Sequence, residues 1–200
     1  MDRVFSIDER GSMALILMCD GPGAEVVKKR MRSVLEDVET FRDVIDKNLR
    51  LAATLGAPTH TREFPLLAML STADEALRDE GIVDYALINC SAAWPNKRWP
   101  PDRFGRIATH LREHHGLTSV VLWGPGEAEL AAAVVAASDG AAVVAPPTGL
   151  ADLVAIAQGA RLIVSGDTGP THVASAVGTP VVAIFGPTDP ARNGPWVEAD

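Results

Sequence analysis

Residues 165–190 form the segment of this chain best suited to binding a charged ligand. The apolar run at 161–164 predicts a strand, Asp-Thr-Gly at 167–169 predicts a turn, and the small residues from Pro170 onward predict a helix. That helix begins where a parallel strand ends, which is the ligand-binding edge of doubly wound folds. Its free N–H groups and positive dipole end suit an anion. The segment therefore predicts a site for a phosphate-bearing ligand.

Two other loops also follow predicted strands. The loop at 89–101 contains Lys-Arg-Trp-Pro at positions 97–100, and the turn at 123–127 ends in Glu127. Gly-Thr-Pro at 178–180 predicts the end of the helix that starts at Pro170, and the apolar run at 181–184 predicts the next strand. Phe-Gly-Pro-Thr-Asp-Pro then predicts a second turn, shaped by its threonine and aspartate. Because parallel strands end at one edge of a sheet, we expect these loops to meet.

The elements that must position these loops alternate regularly from residue 85 onward. Apolar runs predict strands at 85–88, 119–123, 141–144, 161–164 and 181–184, and the segments between them predict helices at 102–115, 126–137, 150–158 and 170–177. Asp102 is the expected N-cap of the first of these helices, and Gly116 its stop. This alternation predicts an α/β fold with a Rossmann-like, doubly wound parallel sheet covered on both faces.

The N-terminal part of the chain differs in pattern. Residues 25–55 are charged and carry an approximate apolar stripe, which predicts an amphipathic helix ended by Gly56. The apolar run at 13–18 is too short to span a bilayer and favours a buried strand over a signal peptide. We therefore divide the chain into an N-terminal helical or linker segment, 1–63, and a ligand-binding domain, 64–200.

Composition excludes several classes of function. The chain has 200 residues, of which 47% are hydrophobic and 22% charged, with a formal net charge of -8. An acidic surface argues against nucleic-acid binding. Two cysteines do not make a disulfide scaffold. His110, His114 and His115 have no acid at metal-ligand spacing, so no metal site is predicted. These histidines are expected to be solvated. The sequence contains neither a serine nucleophile elbow nor a P-loop.

The motifs at 97–100 and 165–190 resemble those of glycosyltransferase family 9, which includes the lipopolysaccharide heptosyltransferases. The family pattern is a strand, Asp-Ser/Thr-Gly, two residues, His, a small-residue helix, Gly-x-Pro, a strand and Phe-Gly-x-Thr-Asp-Pro. This chain has each part in order, together with Lys-x-Trp-Pro, and residues 48–56 resemble the family's interdomain helix. The resemblance implies a GT-B type C-terminal domain.

The resemblance also implies roles for individual residues. Lys97 would contact the nucleotide diphosphate, Thr168 and Gly169 would donate hydrogen bonds to it, and Asp167 would bind hydroxyls of the transferred sugar. Glu127, or less well placed Glu129, would hold the ribose.

Other roles stay open at this point. His172 would contact a phosphate or brace the aspartate, while Glu127 could instead stabilise the start of a helix. Lys97 could be an ordinary surface lysine, and Arg98 is expected to be solvated or paired with an acid. Trp94 and Trp99 could pack the loop or stack on the base, and we favour packing.

The function that the resemblance implies is inverting transfer of a sugar from a nucleotide-sugar donor, ADP-heptose, to a lipopolysaccharide-core or similar acceptor. No metal or cofactor is expected, and the cytoplasm or the inner-membrane surface is the expected location. We find no candidate general base, so the catalytic residue would belong to a separate acceptor domain. The alternatives are a non-catalytic nucleotide-sugar-binding module and, less favoured, a sugar-nucleotide epimerase of related fold.

Overall fold

The structure, a computed structural model, describes residues 44–54, 56–57, 64–66 and 70–195. The chain divides into two units, Met1–Arg62 and Glu63–Asp200. In the first unit, helix α1 spans Val44–Thr54 and buries Leu51. The remainder of the helix predicted at 25–55, the apolar run at 13–18 and Cys19 lie outside the described residues. The functional division at residue 63 stays a prediction.

The second unit contains a five-stranded, fully parallel sheet, as the alternating pattern predicts. Its strands are β1 (Tyr85–Asn89), β2 (Thr118–Leu122), β3 (Ala142–Val144), β4 (Leu162–Gly166) and β5 (Val181–Ile184). They lie in the order β3-β2-β1-β4-β5. The chain runs outward from β1 to β3 and then returns to place β4 beside β1. The switch point of this doubly wound sheet therefore lies between β1 and β4.

Helices cover both faces of the sheet and create two cores. The helices are α2 (Thr72–Asp79), α3 (Pro101–His115), α4 (Ala128–Ala136), α5 (Leu150–Gly159), α6 (Gly169–Ala176) and α7 (Pro190–Asn193), with a 3-10 turn at Pro95–Lys97. Helices α3 and α4 bury Phe104 and Val134 against one face. Helices α2, α5 and α6 bury Leu77, Ile156 and Ala174 against the other. The strands are thus almost wholly apolar, which is typical of a covered parallel sheet.

The capping prediction for α3 is wrong. The helix begins at Pro101, with Pro100 at the N-cap. Because a proline at the first helical position already has a helical φ angle, the helix starts at Pro101, two residues earlier than it would with Asp102 as its N-cap. The Asp102 carboxylate instead accepts a hydrogen bond from Arg106 Nη2 at 2.7 Å. Gly116 ends the helix in the left-handed conformation, with φ of 70°, as predicted.

Two helices were not predicted. Helix α2 is capped by Ser71, whose hydroxyl accepts a hydrogen bond from the backbone N–H of Asp74 at 3.1 Å. Helix α7 is capped by Asp189, which accepts from the N–H of Ala191 at 2.9 Å. The aspartate predicted to shape a turn therefore starts a short helix. Serine and aspartate followed by helix-forming residues were the signals in the sequence.

Helix α3 is in close contact with the residue after α4 at Gly105. A Cβ atom at this position would lie 2.6 Å from the backbone carbonyl atoms of Ala137 and from its Cβ. We expect Gly105→Ala to lower the free energy of unfolding by about 1–3 kcal/mol, because the two elements would have to separate. Urea denaturation measures this change. Glu113→Ala, on the exposed face of α3, is the control, and equal stability of both variants would contradict close packing at Gly105.

Candidate functional site

A cavity of about 300 Å³ lies at the carboxyl edge of the sheet, beside the switch point. The loops that follow β1, β2 and β4 line it, with Ser91, Ala92, Ala93, Trp94, Lys97, Glu127, Asp167, Thr168 and Gly169. Five of the six residues predicted to bind the donor are thus brought together. The sixth, His172, is exposed and outside this lining. It lies in the first turn of α6, whose first residue, Gly169, does line the cavity.

Lys97 and Asp167 form an ion pair across the switch point. The Nζ atom of Lys97 lies 2.7 Å from Asp167 Oδ2, and the aspartate side chain is only 8% exposed. The hydroxyl of Thr188, in the loop after β5, donates to the same oxygen at 2.7 Å. Asp167 Oδ1 has no hydrogen-bond partner among the described residues. One carboxylate oxygen is therefore held in place while the other is available to a ligand.

The environment of Asp167 keeps its carboxylate ionised. Burial raises its pKa, but the hydrogen bonds from Lys97 and Thr188 and the charges of Lys97 and His172 outweigh burial and lower the pKa below its usual value. A carboxylate with a lowered pKa is a weak base. Asp167 is therefore suited to accepting hydrogen bonds from ligand hydroxyls and poorly suited to removing a proton.

The start of α6 presents hydrogen-bond donors to the cavity. Thr168 is the N-cap residue of α6, yet its side chain makes no capping bond to the described backbone of the helix. Its Oγ1 instead lies 2.7 Å from Nδ2 of Asn89 at the end of β1. The N–H of Gly169 has no partner within the described part of the chain. An anion in the cavity would meet this N–H, the threonine hydroxyl and the positive end of the helix dipole.

Glu127 has both a structural contact and a place in the cavity. Its Oε2 accepts a hydrogen bond from the N–H of Gly124 at 2.9 Å, which closes the turn after β2. A Cβ atom on Gly124 would lie 2.9 Å from that oxygen, so glycine permits the contact. Glu129, the second candidate, is exposed and does not line the cavity. The predicted contact of Glu127 with a ribose stays a prediction.

The two tryptophans of the loop after β1 behave differently. Trp99 packs edge-to-face against Phe104, with ring centroids 5.1 Å apart, as predicted. Trp94 is 65% exposed and lines the cavity, so the packing that we favoured for it is wrong. Trp94 precedes the 3-10 turn that begins at Pro95, and Lys97 Nζ lies 5.6 Å from the centroid of its ring. Trp94 therefore presents an aromatic surface to any ligand in the cavity.

Two further side chains help to shape this loop. Arg98 is exposed, in keeping with the solvated side chain that we expected, and its Nε also donates to the carbonyl oxygen of Ala92 at 2.8 Å. Cys90 is buried, and burial raises the pKa of its thiol to about 11. The thiol is therefore neutral at physiological pH and is no nucleophile.

The described residues contain no group of three His, Cys, Asp or Glu side chains that could hold a metal ion. His110, His114 and His115 are exposed, as expected, and the first two rings lie 4.3 Å apart. No helix in the described ranges is long and apolar enough to cross a membrane.

A parallel sheet with cationic, hydroxyl and backbone donors at its switch point defines a Rossmann-like type of domain, and the switch point is the usual ligand-binding position of such sheets. The sequence model of glycosyltransferase family 9 (heptosyltransferase) matches residues 25–200. This chain belongs to that family, as the motifs predict.

Named relatives and solved structures support the same assignment. Lipopolysaccharide heptosyltransferase 1 of Pseudomonas aeruginosa is 32% identical over 133 residues, which are 63% of this chain and 37% of the relative. Lipopolysaccharide heptosyltransferase 3 of Escherichia coli K12 is 30% identical over 169 residues, which cover 78% of this chain and 47% of the relative. A solved structure of a family 9 glycosyl transferase from Veillonella parvula superposes with a TM-score of 0.66 at 28% identity. The match covers 78% of this chain and 47% of that structure's chain. The chain thus spans less than half the length of these relatives.

Proposed function

We propose that residues 64–200 are the donor-binding half of a heptosyltransferase and that the cavity binds ADP-heptose. The convergence of Lys97, the donors at the start of α6 and the free oxygen of Asp167 in one cavity carries this proposal. A similar solved structure, the E. coli heptosyltransferase WaaC with ADP-2-deoxy-2-fluoro heptose, lends support, with a TM-score of 0.55 at 25% identity.

Each proposed contact follows from the chemistry of the group. The diphosphate lies against Lys97 Nζ, the Thr168 hydroxyl and the Gly169 N–H, because each of these groups can donate a hydrogen bond to a phosphate oxygen. The positive charge of Lys97 stabilises the anion further. A hydroxyl of the sugar donates to Asp167 Oδ1. A ribose hydroxyl donates to Glu127, whose Oε1 has no hydrogen-bond partner among the described residues. His172, exposed in the first turn of α6, contacts a phosphate or the outer part of the ligand.

The proposed reaction is inverting and needs no metal ion. A hydroxyl of the lipopolysaccharide core or a similar acceptor attacks the anomeric carbon, the bond from that carbon to the diphosphate breaks, and ADP leaves. Lys97 and the α6 start stabilise the negative charge that develops on the diphosphate. The acceptor proton passes to a base in a separate acceptor domain. We place this reaction in the cytoplasm or at the inner-membrane surface.

Ligand binding and transfer test this proposal separately. We expect ADP-heptose to raise the melting temperature of the 200-residue chain more than UDP- or GDP-sugars do, because a ligand that binds only the folded state stabilises it. In a transfer assay with a lipopolysaccharide-core acceptor, we expect negligible turnover by this chain alone, because general base catalysis contributes roughly 10²–10⁴-fold.

Addition of a separately expressed acceptor domain should restore turnover. Robust turnover by the chain alone would contradict the assignment of the base to another domain. Donor binding without turnover, even after that addition, would instead favour the second candidate function, a nucleotide-sugar-binding module.

A further inference from the structure

Asn89 is a buried polar residue at the switch point to which the proposed function gives no role. It ends β1, is only 2% exposed and lies opposite Ser165 of β4. Its Nδ2 atom lies 2.7 Å from Thr168 Oγ1 and 3.1 Å from Ser165 Oγ. Its Oδ1 atom accepts a hydrogen bond from Ser91 Oγ at 3.0 Å. A single amide therefore joins the loop after β1 to the turn after β4.

The neighbours of Asn89 fix the orientation of its amide. The carbonyl oxygen of Ser91, which can only accept, lies 3.4 Å from Nδ2. The hydroxyl of Ser91 donates to the opposite end of the amide. With this orientation Nδ2 has three acceptors for its two protons, and the Thr168 hydroxyl oxygen, at 2.7 Å, is the nearest of them. Thr168 Oγ1 is consequently an acceptor towards Asn89.

The proton of the Thr168 hydroxyl has no close acceptor within the described chain. Its nearest protein acceptors are Ser165 Oγ at 3.3 Å and the Gly166 carbonyl at 3.4 Å. The Gly166 carbonyl already receives the Thr171 hydroxyl at 2.6 Å. A hydroxyl that accepts on one side and has only long contacts on the other can turn its proton towards a ligand.

The same contact keeps Thr168 from capping its own helix. A threonine at the N-cap ordinarily accepts a hydrogen bond from a backbone N–H two or three residues later. Here that bond is not formed, and the side-chain oxygen is held by Asn89 instead. The start of α6 consequently stays open towards the cavity.

We propose that Asn89 is a positioning residue that sets the Thr168 hydroxyl as a hydrogen-bond donor to the diphosphate of the bound nucleotide sugar. This inference rests on the proposed function, because it requires a diphosphate in the cavity. Asn89 acts only through Thr168 and has no contact with the ligand.

The decisive variant is Asn89→Asp, which keeps the size of the side chain but replaces its donor by an acceptor. The Thr168 hydroxyl would then donate to the new carboxylate and be lost to the diphosphate, and a negative charge would be added nearby. We expect the affinity for ADP to fall by about tenfold to a hundredfold, while the affinity for adenosine changes far less. Isothermal titration calorimetry with both ligands measures the difference.

Variants at Thr168 test the same link without altering Asn89. Thr168→Val keeps the shape but removes the hydroxyl, so it should weaken ADP binding selectively, as Asn89→Asp does. Thr168→Ser should retain ADP binding. Ser119→Ala is the control for altering a buried polar side chain, because Ser119 is fully buried in the adjacent strand β2 and lies outside the cavity.

The outcomes separate this inference from the proposed function. If the unsubstituted chain binds ADP no better than adenosine, the proposed function fails. If it prefers ADP but Thr168→Val or a folded Asn89→Asp keeps that preference, the role of Asn89 is refuted and the donor site stands. If Asn89→Asp weakens the binding of ADP and of adenosine equally, Asn89 has only a structural role.

Discussion

Replacement of Lys97 by alanine should weaken the binding of ADP-heptose by about 1–3 kcal/mol, the range for losing a hydrogen bond to a charged group. The lysine is proposed to contact the diphosphate, and its loss also leaves the buried carboxylate of Asp167 without its ion-pair partner. That carboxylate would then repel the phosphates. Calorimetry with ADP-heptose, ADP and adenosine should show large losses for the first two ligands and little change for adenosine.

The control for Lys97→Ala is Arg106→Ala. Arg106 is a cation on the exposed face of α3, where it pairs with Asp102 outside the cavity. Its removal changes the net charge equally but should leave the binding of ADP unchanged, since exposed charges are screened by salt. An equal loss of adenosine and ADP binding in the Lys97 variant would rule out a phosphate contact for this lysine.

Asp167→Asn should weaken the binding of ADP-heptose by about 1–3 kcal/mol while leaving the binding of ADP similar or stronger. The amide retains the shape of the carboxylate, but it is a poorer acceptor for a sugar hydroxyl. Loss of the negative charge also removes repulsion of the diphosphate. Calorimetry should therefore show a lower affinity for ADP-heptose and an unchanged or higher affinity for ADP.

Asp189→Asn is a matched control for Asp167→Asn. Asp189 lies in the loop that also carries Thr188, and it caps α7 through an oxygen that asparagine retains. We expect this variant to bind both ligands normally. Equal weakening of ADP and ADP-heptose by Asp167→Asn would show that the aspartate holds the loops together and does not bind the sugar.

The fold could be predicted because each strand is a short apolar run followed by a turn or a loop. These apolar runs and the turns that follow them predicted all five strands. The parallel arrangement then placed Lys97, Glu127 and Asp167 at the carboxyl edge of the sheet. Helix α2 was less evident because it is short and mostly polar. Part of its stability comes from a partner distant in sequence, since Ser71 donates to Asp152 at 2.7 Å.

The contacts within the site could not be predicted, because they depend on how separate loops approach one another. Thr188 looked like a turn residue, and only the position of β5 beside β4 brings its hydroxyl to Asp167. Asn89 looked like the polar end of a strand. Its importance appears only when β4 pairs with β1 and supplies Ser165 and Thr168. Local residue types predict the participants in such a network but not their pairing.

The position of the cavity between β1 and β4 has a consequence for the order of folding. Asn89 and Ser165 meet across a sequence separation of 76 residues. The entropy of closing so long a loop makes this contact slow to form, whereas each helix can begin to form from local contacts. During synthesis the site cannot be completed until the segment carrying Thr188 has emerged. Recovery of ligand binding in a refolding experiment therefore reports the long-range docking of β4 and β5, whereas recovery of helical circular dichroism also reports earlier, local events.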